Sequence, residues 1–500
     1  MSNYFYNLLK IFMINKISNT GFNFDNSYIE LPPEFYSPAN LQPVKSPQLV
    51  ILNNELSNSL GLNTDFLKSP EGIYIMSGNI KIPDGAYISQ AYAGHQFGGF
   101  TMLGDGRALL IGEQITPSNQ RFDIQLKGSG RTPYSRNGDG RAVLGPMLRE
   151  YIISEAMHGL NIPTTRSLSV ISTGENVYRE TIQQGAILTR VASSHIRFGT
   201  FEYAAYMLDY EKLKKLSDYT IKRHFPFLEN NENKYINLLD EVIKLQASLV
   251  AKWQSVGFIH GVLNTDNMSI CGETIDYGPC AFMDVYNPDT VFSSIDTNGR
   301  YAYKNQIAIV NWNLYRLAET LLPIINLDEN KAIELAQNSL SKFINLATSN
   351  LSHEMCSKIG IFEPKTSDID LLNELLNMMQ KYKEDYTNTF IALTFNDLPQ
   401  KGMFISEEFI NWKKKWEETL TLQNKSKDEV FDLMKNSNPA VIPRNHRVEE
   451  ALSAANNGDF SVMNNLLKAL SNPFEHSEFQ KEYAKLPSTP QCNYRTYCGT

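Results

Sequence analysis

Phe258-Ile-His-Gly-Val-Leu-Asn-Thr-Asp-Asn-Met-Ser269, followed seven residues later by Asp276-Tyr-Gly278, is where the reading of this chain turns. The stretch opens on an apolar pair and then gathers Asn264, Asp266, Asn267 and Asp276 in loops. Carboxylate and amide oxygens collected in loops are suited to hard cations and phosphates. Just upstream, Ile236–Val256 carries apolar residues at helical spacing and stops at Gly257. Downstream, Trp312–Ile325 and several later segments repeat that period.

Upstream of the long helix the period changes. Ala108–Gly112 is an apolar run after the turn Leu103-Gly-Asp-Gly-Arg107, and Phe122–Lys127 alternates in period two. A loop rich in Gly, Ser and Arg, Gly128 to Gly140, leads into a helix expected over Pro146–Gly159. Strands are expected at Ser167–Ser172 and Ala186–Val191. Four segments follow from this pass. Residues 1–85 read as an irregular extension wrapping the fold, broken by Pro32, Pro33, Pro38, Pro43 and Pro47. Residues 86–200 read as a strand-rich lobe with a nucleotide-binding loop, and 201–440 as a helical lobe with the catalytic loop and metal site. Residues 441–500 read as C-terminal helices and a cysteine-bearing tail. The expected fold class is α+β, a protein-kinase-like two-lobed plan with extensions at both ends.

The order of chemical parts carries that expectation. A kinase needs a glycine-bearing loop over phosphates, a strand lysine, a helix glutamate, a catalytic loop and a metal-binding Asp-Phe-Gly. Here the order is Gly104-Asp-Gly106-Arg107, Lys127, Glu150, His260 to Asn267, then Asp276-Tyr-Gly278. Each alone has a bland alternative: a turn, a solvated lysine, a solvated helix face. As an ordered set they balance the charge of a nucleoside triphosphate, with Lys127 on phosphate oxygens, Glu150 holding the lysine, and Asn267 and Asp276 offering oxygens to magnesium or manganese. One position departs. His260 and Asn267 keep the kinase spacing, but the kinase base falls at Val262, which cannot take a proton. Either the chain is an inert nucleotide binder, or the nucleotide sits differently and Asp266 is the base.

Bulk properties fit an enzyme rather than a nucleic-acid coat. The 500 residues carry 46 basic and 54 acidic side chains, a net charge of -8, and 42% are hydrophobic. Phosphate neutralisation along a nucleic acid is therefore not expected. Five cysteines without a zinc-type pair point to a reducing compartment. The apolar run Tyr4–Ile14 is short and broken by Asn7 and Lys10, so neither a signal peptide nor a membrane span is expected. A cytoplasmic bacterial monomer is the resulting expectation.

At this point the chain resembles the selenoprotein O family (SelO, YdiU in bacteria), protein adenylyltransferases on a pseudokinase fold. Tyr92-Ala-Gly-His-Gln-Phe-Gly98, Leu103–Arg107, Gln125–Arg136, His260–Ser269, Asp276–Pro279 and Ile442-Pro-Arg-Asn-His446 carry the resemblance, which runs from about Phe24 to the C-terminus. It implies ATP bound in flipped orientation, its α-phosphate facing an incoming Ser, Thr or Tyr hydroxyl of a protein, with AMP transferred and pyrophosphate released. It implies nucleotide contacts at Gly104, Gly106, Arg107, Lys127, Asp139, Gly140, Arg190, Arg197 and Asp276, with Glu150 as lysine partner. It implies Asp266 as proton acceptor and Asn267 and Asp276 as ligands of Mg2+ or Mn2+. Cys498 falls where the family carries selenocysteine or cysteine, and a disulfide to Cys280 or Cys271 would tie the tail over the site. UMP transfer with manganese and a catalytically silent ATP-binding scaffold remain as alternatives. No chemistry is read in residues 326–440.

Overall fold

The computed structural model describes residues 20–487 and 494–496. The chain forms two compact units, each discontinuous in sequence. The first comprises residues up to Ala91, Leu103–Tyr151 and Thr165–His195. The second comprises Tyr92–Met102, Ile152–Thr164 and Ile196 onward. The units therefore cut across the four consecutive segments expected from the sequence, because the hairpin after Ala91 packs with helical residues far along the chain.

The first unit is built on an eight-stranded sheet, antiparallel in its pairings. Its order runs Tyr36–Pro38, Ile88–Gln90, Ala108–Ile115, Arg121–Lys127, Ile182–Ala192, Arg166–Tyr178, Gln48–Leu52, with Ala142–Val143 added beside Ile182–Ala192. Residues 36–52 thus supply two strands rather than an irregular wrap. Three short helices follow them, Asn54–Ser59, Thr64–Lys68 and Pro70–Met76. Each begins at a side-chain cap, from Asn53, Asn63 and Ser69, and the third has proline in its first turn. Those caps are the local signal that a search for proline breaks passes over. The helices bury Leu56, Leu67, Ile75 and Met76 against Leu109, Ile111, Ile124 and Leu126 of the sheet. Phe122–Lys127 does form a strand, but its last five residues are buried irrespective of face, so alternation there reports pairing more than exposure.

The second unit is largely helical. The expected helix at 236–256 is Lys234–Ser255, and the one at 312–325 starts earlier, as Gln306–Ile325. Residues 355–434 supply most of a core in which Phe409, Trp412 and Trp416 stack in series. Trp412 and Trp416 each donate an indole N–H to a backbone carbonyl, of Leu371 and Ile359. The region without visible chemistry is therefore a packing region. The Ile442–His446 motif is likewise structural in its arginine and asparagine: buried Arg444 donates to Asp284 and Asp385, and Asn445 to the carbonyl of Phe282. Both hold the segment just after Asp276-Tyr-Gly278. Among the described residues no helix is long and apolar enough to cross a membrane.

Candidate active site

Within the first unit, Lys127 ends the strand Arg121–Lys127, and Gln125, two residues earlier, lies on the same face. Arg190 stands directly opposite Gln125 on the neighbouring strand. Lys127 Nζ donates to Glu150 Oε2 at 2.5 Å, and Arg190 Nη1 to Glu150 Oε1 at 3.3 Å. Arg190 also donates through Nε and Nη2 to Gln125 Oε1 at 3.2 and 2.6 Å, and Gln125 Nε2 donates to Asp105 Oδ2 at 3.0 Å. All five side chains are buried. Glu150 is thus partner to two cations, not one. Gln125 and Asp105 were not singled out from sequence, although the i, i+2 spacing of Gln125 and Lys127 was the available signal.

Asp105 belongs to the Gly104–Arg107 turn, and the loop after Lys127 folds onto it. Thr132 donates to the carbonyl of Asp105, and Ser135 to that of Gly106. Gly104 has φ +124°, and a Cβ there would lie 2.5 Å from the Tyr134 ring, so glycine is required. Asp139 and Gly140 have partners of their own. Asp139 is held by both terminal nitrogens of Arg179 at 2.9 Å, which pulls its carboxyl below the usual range, and Gly140 packs on the backbone of Gly130.

Within the second unit, Arg197 Nη1 donates to the backbone carbonyl of Asp266 and to Asp276 Oδ2, each at 2.6 Å, while its guanidinium lies over the Tyr92 ring. Asp276 holds a left-handed backbone, φ 64°, a conformation aspartate tolerates and functional sites favour. His260 is fully buried with Nε2 3.0 Å from the carbonyl of Ile275, bracing the Asp276 segment. Asn267 spends its amide nitrogen on the carbonyl of Val262 at 2.8 Å, which leaves its oxygen to meet a ligand.

Asp266 is buried, and its Oδ1 has no hydrogen-bond partner. Its other oxygen accepts from Gln96 Nε2 at 3.4 Å. Burial pushes its carboxyl up to about 6, against the opposing pull of Arg197. Asn267 and Asp276 offer an amide oxygen and a carboxylate, oxygen donors of the kind a hard divalent cation takes. Among the described residues no group of three or more His, Cys, Asp or Glu forms a ready-made metal site.

The hairpin of Ala93–Gln96 and Gly99–Met102 shapes this loop, a role sequence reasoning did not assign it. A Cβ on Gly94 would fall 2.5 Å from Asp266 Oδ1, and one on Gly199 would strike the carbonyl of Ala93. His95 Nδ1 lies 2.5 Å from Glu202 Oε1. Thr265 bridges the two, donating to Glu202 at 2.6 Å and accepting from the His95 N–H at 2.7 Å. Phe97 N–H and Tyr301 both donate to Asn264 Oδ1. Of the candidate redox cysteines, Cys271 lies 3.0 Å from Ser269 Oγ and Cys280 is buried, while Cys498 lies outside the described residues.

A family model described as protein adenylyltransferase SelO matches residues 19–471. A protein nucleotidyltransferase YdiU of Bacillus cytotoxicus is 62% identical over 487 residues, covering 97% of this chain and 99% of that one. One of Clostridium beijerinckii is 60% identical over 484 residues, covering 97% and 99%. Among solved structures, ROP2 from Toxoplasma gondii, a virulence factor with a protein-kinase fold and no enzymatic activity, overlaps 67% of this chain and 88% of its own at 8% identity. Its TM-score of 0.24 is too low to add to the topology described above.

Proposed function

The chain belongs to the protein adenylyltransferase SelO family and is a nucleotidyltransferase, and from that premise we propose that it transfers AMP from ATP to Ser, Thr or Tyr hydroxyls of other proteins. The observation that carries this reading is Asp266: a buried carboxylate with one unpartnered oxygen, in a loop whose kinase-base position is the buried apolar Val262. A γ-phosphoryl kinase would need its base at 262. The base at 266 suits an acceptor that meets a different phosphorus.

In this reading Lys127, Arg190 and Arg107 bind phosphate oxygens, and Glu150 holds Lys127 and Arg190 in place until a triphosphate competes for them. Arg197 orients Asp276 and the backbone of Asp266. Asn267 and Asp276 would hold a divalent cation, which supplies charge neutralisation for the phosphates. The acceptor oxygen attacks the α-phosphorus, the bond to the bridging oxygen breaks, and pyrophosphate leaves with the electron pair. The hydroxyl proton goes to Asp266. A carboxylate at about 6 is a better proton acceptor than one near 4, yet is still ionised at neutral pH. Positioning and electrostatics supply the rest of the acceleration.

Parallel reactions with ATP labelled at the α- or the γ-phosphate test this. Label retained on acceptor protein from the α position alone supports AMP transfer. Label from γ alone means a kinase, and label from neither means a silent nucleotide binder. Uptake from α-labelled UTP with manganese in preference to ATP would replace AMP with UMP.

A further inference from the structure

Phe97, Phe100 and Met102 of the hairpin, with Tyr206, Met207 and Tyr210 at and just beyond the end of the helix Phe198–Met207, are each between 40% and 50% exposed. The Phe100 and Tyr206 rings meet edge to face at 5.4 Å, joining the hairpin to the end of the helix, and Phe100 also meets His95 at 5.6 Å. Contiguous exposed apolar surface of this kind marks an interaction site more often than an accident of composition.

The surface is continuous with the catalytic loop. Gln96 places its amide on Asp266, Phe97 donates its N–H to Asn264, and Phe97 packs on Tyr301, itself bonded to Asn264. A polypeptide that presents a hydroxyl to Asp266 lays its neighbouring residues across what borders Asp266 in this unit, and the hairpin is part of that border. The His95–Glu202–Thr265 linkage, buried at Glu202 and Thr265, fixes the hairpin to the loop, so a docked chain would be held in register with the carboxylate.

We propose that this aromatic face docks the acceptor polypeptide by taking an apolar side chain next to the modified hydroxyl. The inference rests on the AMP-transfer reading and adds a substrate preference to it. The face recognises sequence around the acceptor, while the catalytic loop recognises only the hydroxyl.

The test uses the full chain, α-labelled ATP and two synthetic peptides that share one tyrosine, flanked by leucines in one and by glycines in the other. Burial of one leucine side chain corresponds to about a tenfold lower KM for the leucine peptide. Phe100→Gln and Met207→Gln, from separate elements, should each raise the leucine-peptide KM toward the glycine value and leave ATP affinity unchanged. Thermal melts verify that each variant is folded. Equal use of both peptides by the unaltered protein, or a preference that survives both variants, overturns the docking face while leaving AMP transfer intact. A change of oligomeric state in the variants with acceptor KM unmoved would assign the face to a second copy and also overturn it. No α-label on either peptide, on added protein or on the chain itself overturns the parent reading and this one together.

Discussion

The buried ionic cluster of the first unit and the catalytic loop of the second handle charge in opposite ways. Lys127 and Arg190 are compensated before any ligand arrives, by Glu150 and by the Gln125–Asp105 relay. Asp266 is equally buried but has an oxygen with no partner, and the Gln96 contact on its other oxygen is long. Burying a charge is tolerable only with partners. The first cluster is therefore compensated within the fold itself, and in the proposed reading its cations are what a triphosphate would meet. The loop leaves that carboxylate oxygen with an unmet demand that a proton can satisfy. In a single chain, then, a buried ionic site can hold its partners in advance or wait for them.

The sharpest way to break the contrast is Asp276→Ala. If the loop exists to meet a cation, transfer of α-label should fall by about 1,000-fold, with ATP binding by the first unit's cations reduced far less; near-normal labelling would refute the assignment. Next, Glu150→Gln removes the shared counter-charge of two buried cations, and chemical denaturation should show a loss of about 3–5 kcal/mol. A loss below 1 kcal/mol would mean the cluster is not pre-compensated as described.

Asp266→Asn should do the reverse. Its folded-state pKa of about 6 lies above the unfolded value, so between pH 4 and 6 the native state binds the extra proton. Its ionisation therefore costs stability as pH rises through that window, by about 3 kcal/mol once above pH 6. The asparagine variant, lacking that cost, should be more stable than the parent at pH 7, with the difference shrinking toward pH 4. Transfer by the parent should rise with pH through about 6 and then level, and the variant should lose both that limb and most activity.

Gly94→Ala places a methyl against Asp266 Oδ1 and should cost about 1–3 kcal/mol of stability in chemical denaturation, with a lowered kcat and little change in ATP affinity. Smallest of all, Asp139→Ala breaks a half-exposed pair with Arg179 and should change stability by less than 1 kcal/mol. Any loss of ATP affinity in that variant then belongs to nucleotide contact rather than to folding.

Much of this was legible in the residues. The helix that carries Glu150, the strands that carry Lys127 and Arg190, and the loop with Asp266, Asn267 and Asp276 follow from period, turn chemistry and spacing. The capped short helices at 54–76 were missed because prolines drew attention from Asn53, Asn63 and Ser69, whose caps are just as local. The hairpin's grip on Asp266 had no local signal: Gly94 and Asp266 are far apart in sequence, and only a Cβ that cannot fit reveals why the glycine is there.

Sequence alone settled which residue types are present, in what order, and that position 262 cannot serve as a base, because periodicity and side-chain chemistry are properties of neighbours along the chain. Tertiary structure alone decided that Glu150 serves two cations, that Arg444 is a structural clamp, and that Asp266 carries an unpartnered oxygen. Burial and partnership are set by what packs around a side chain from distant segments, and a linear string does not state those distances.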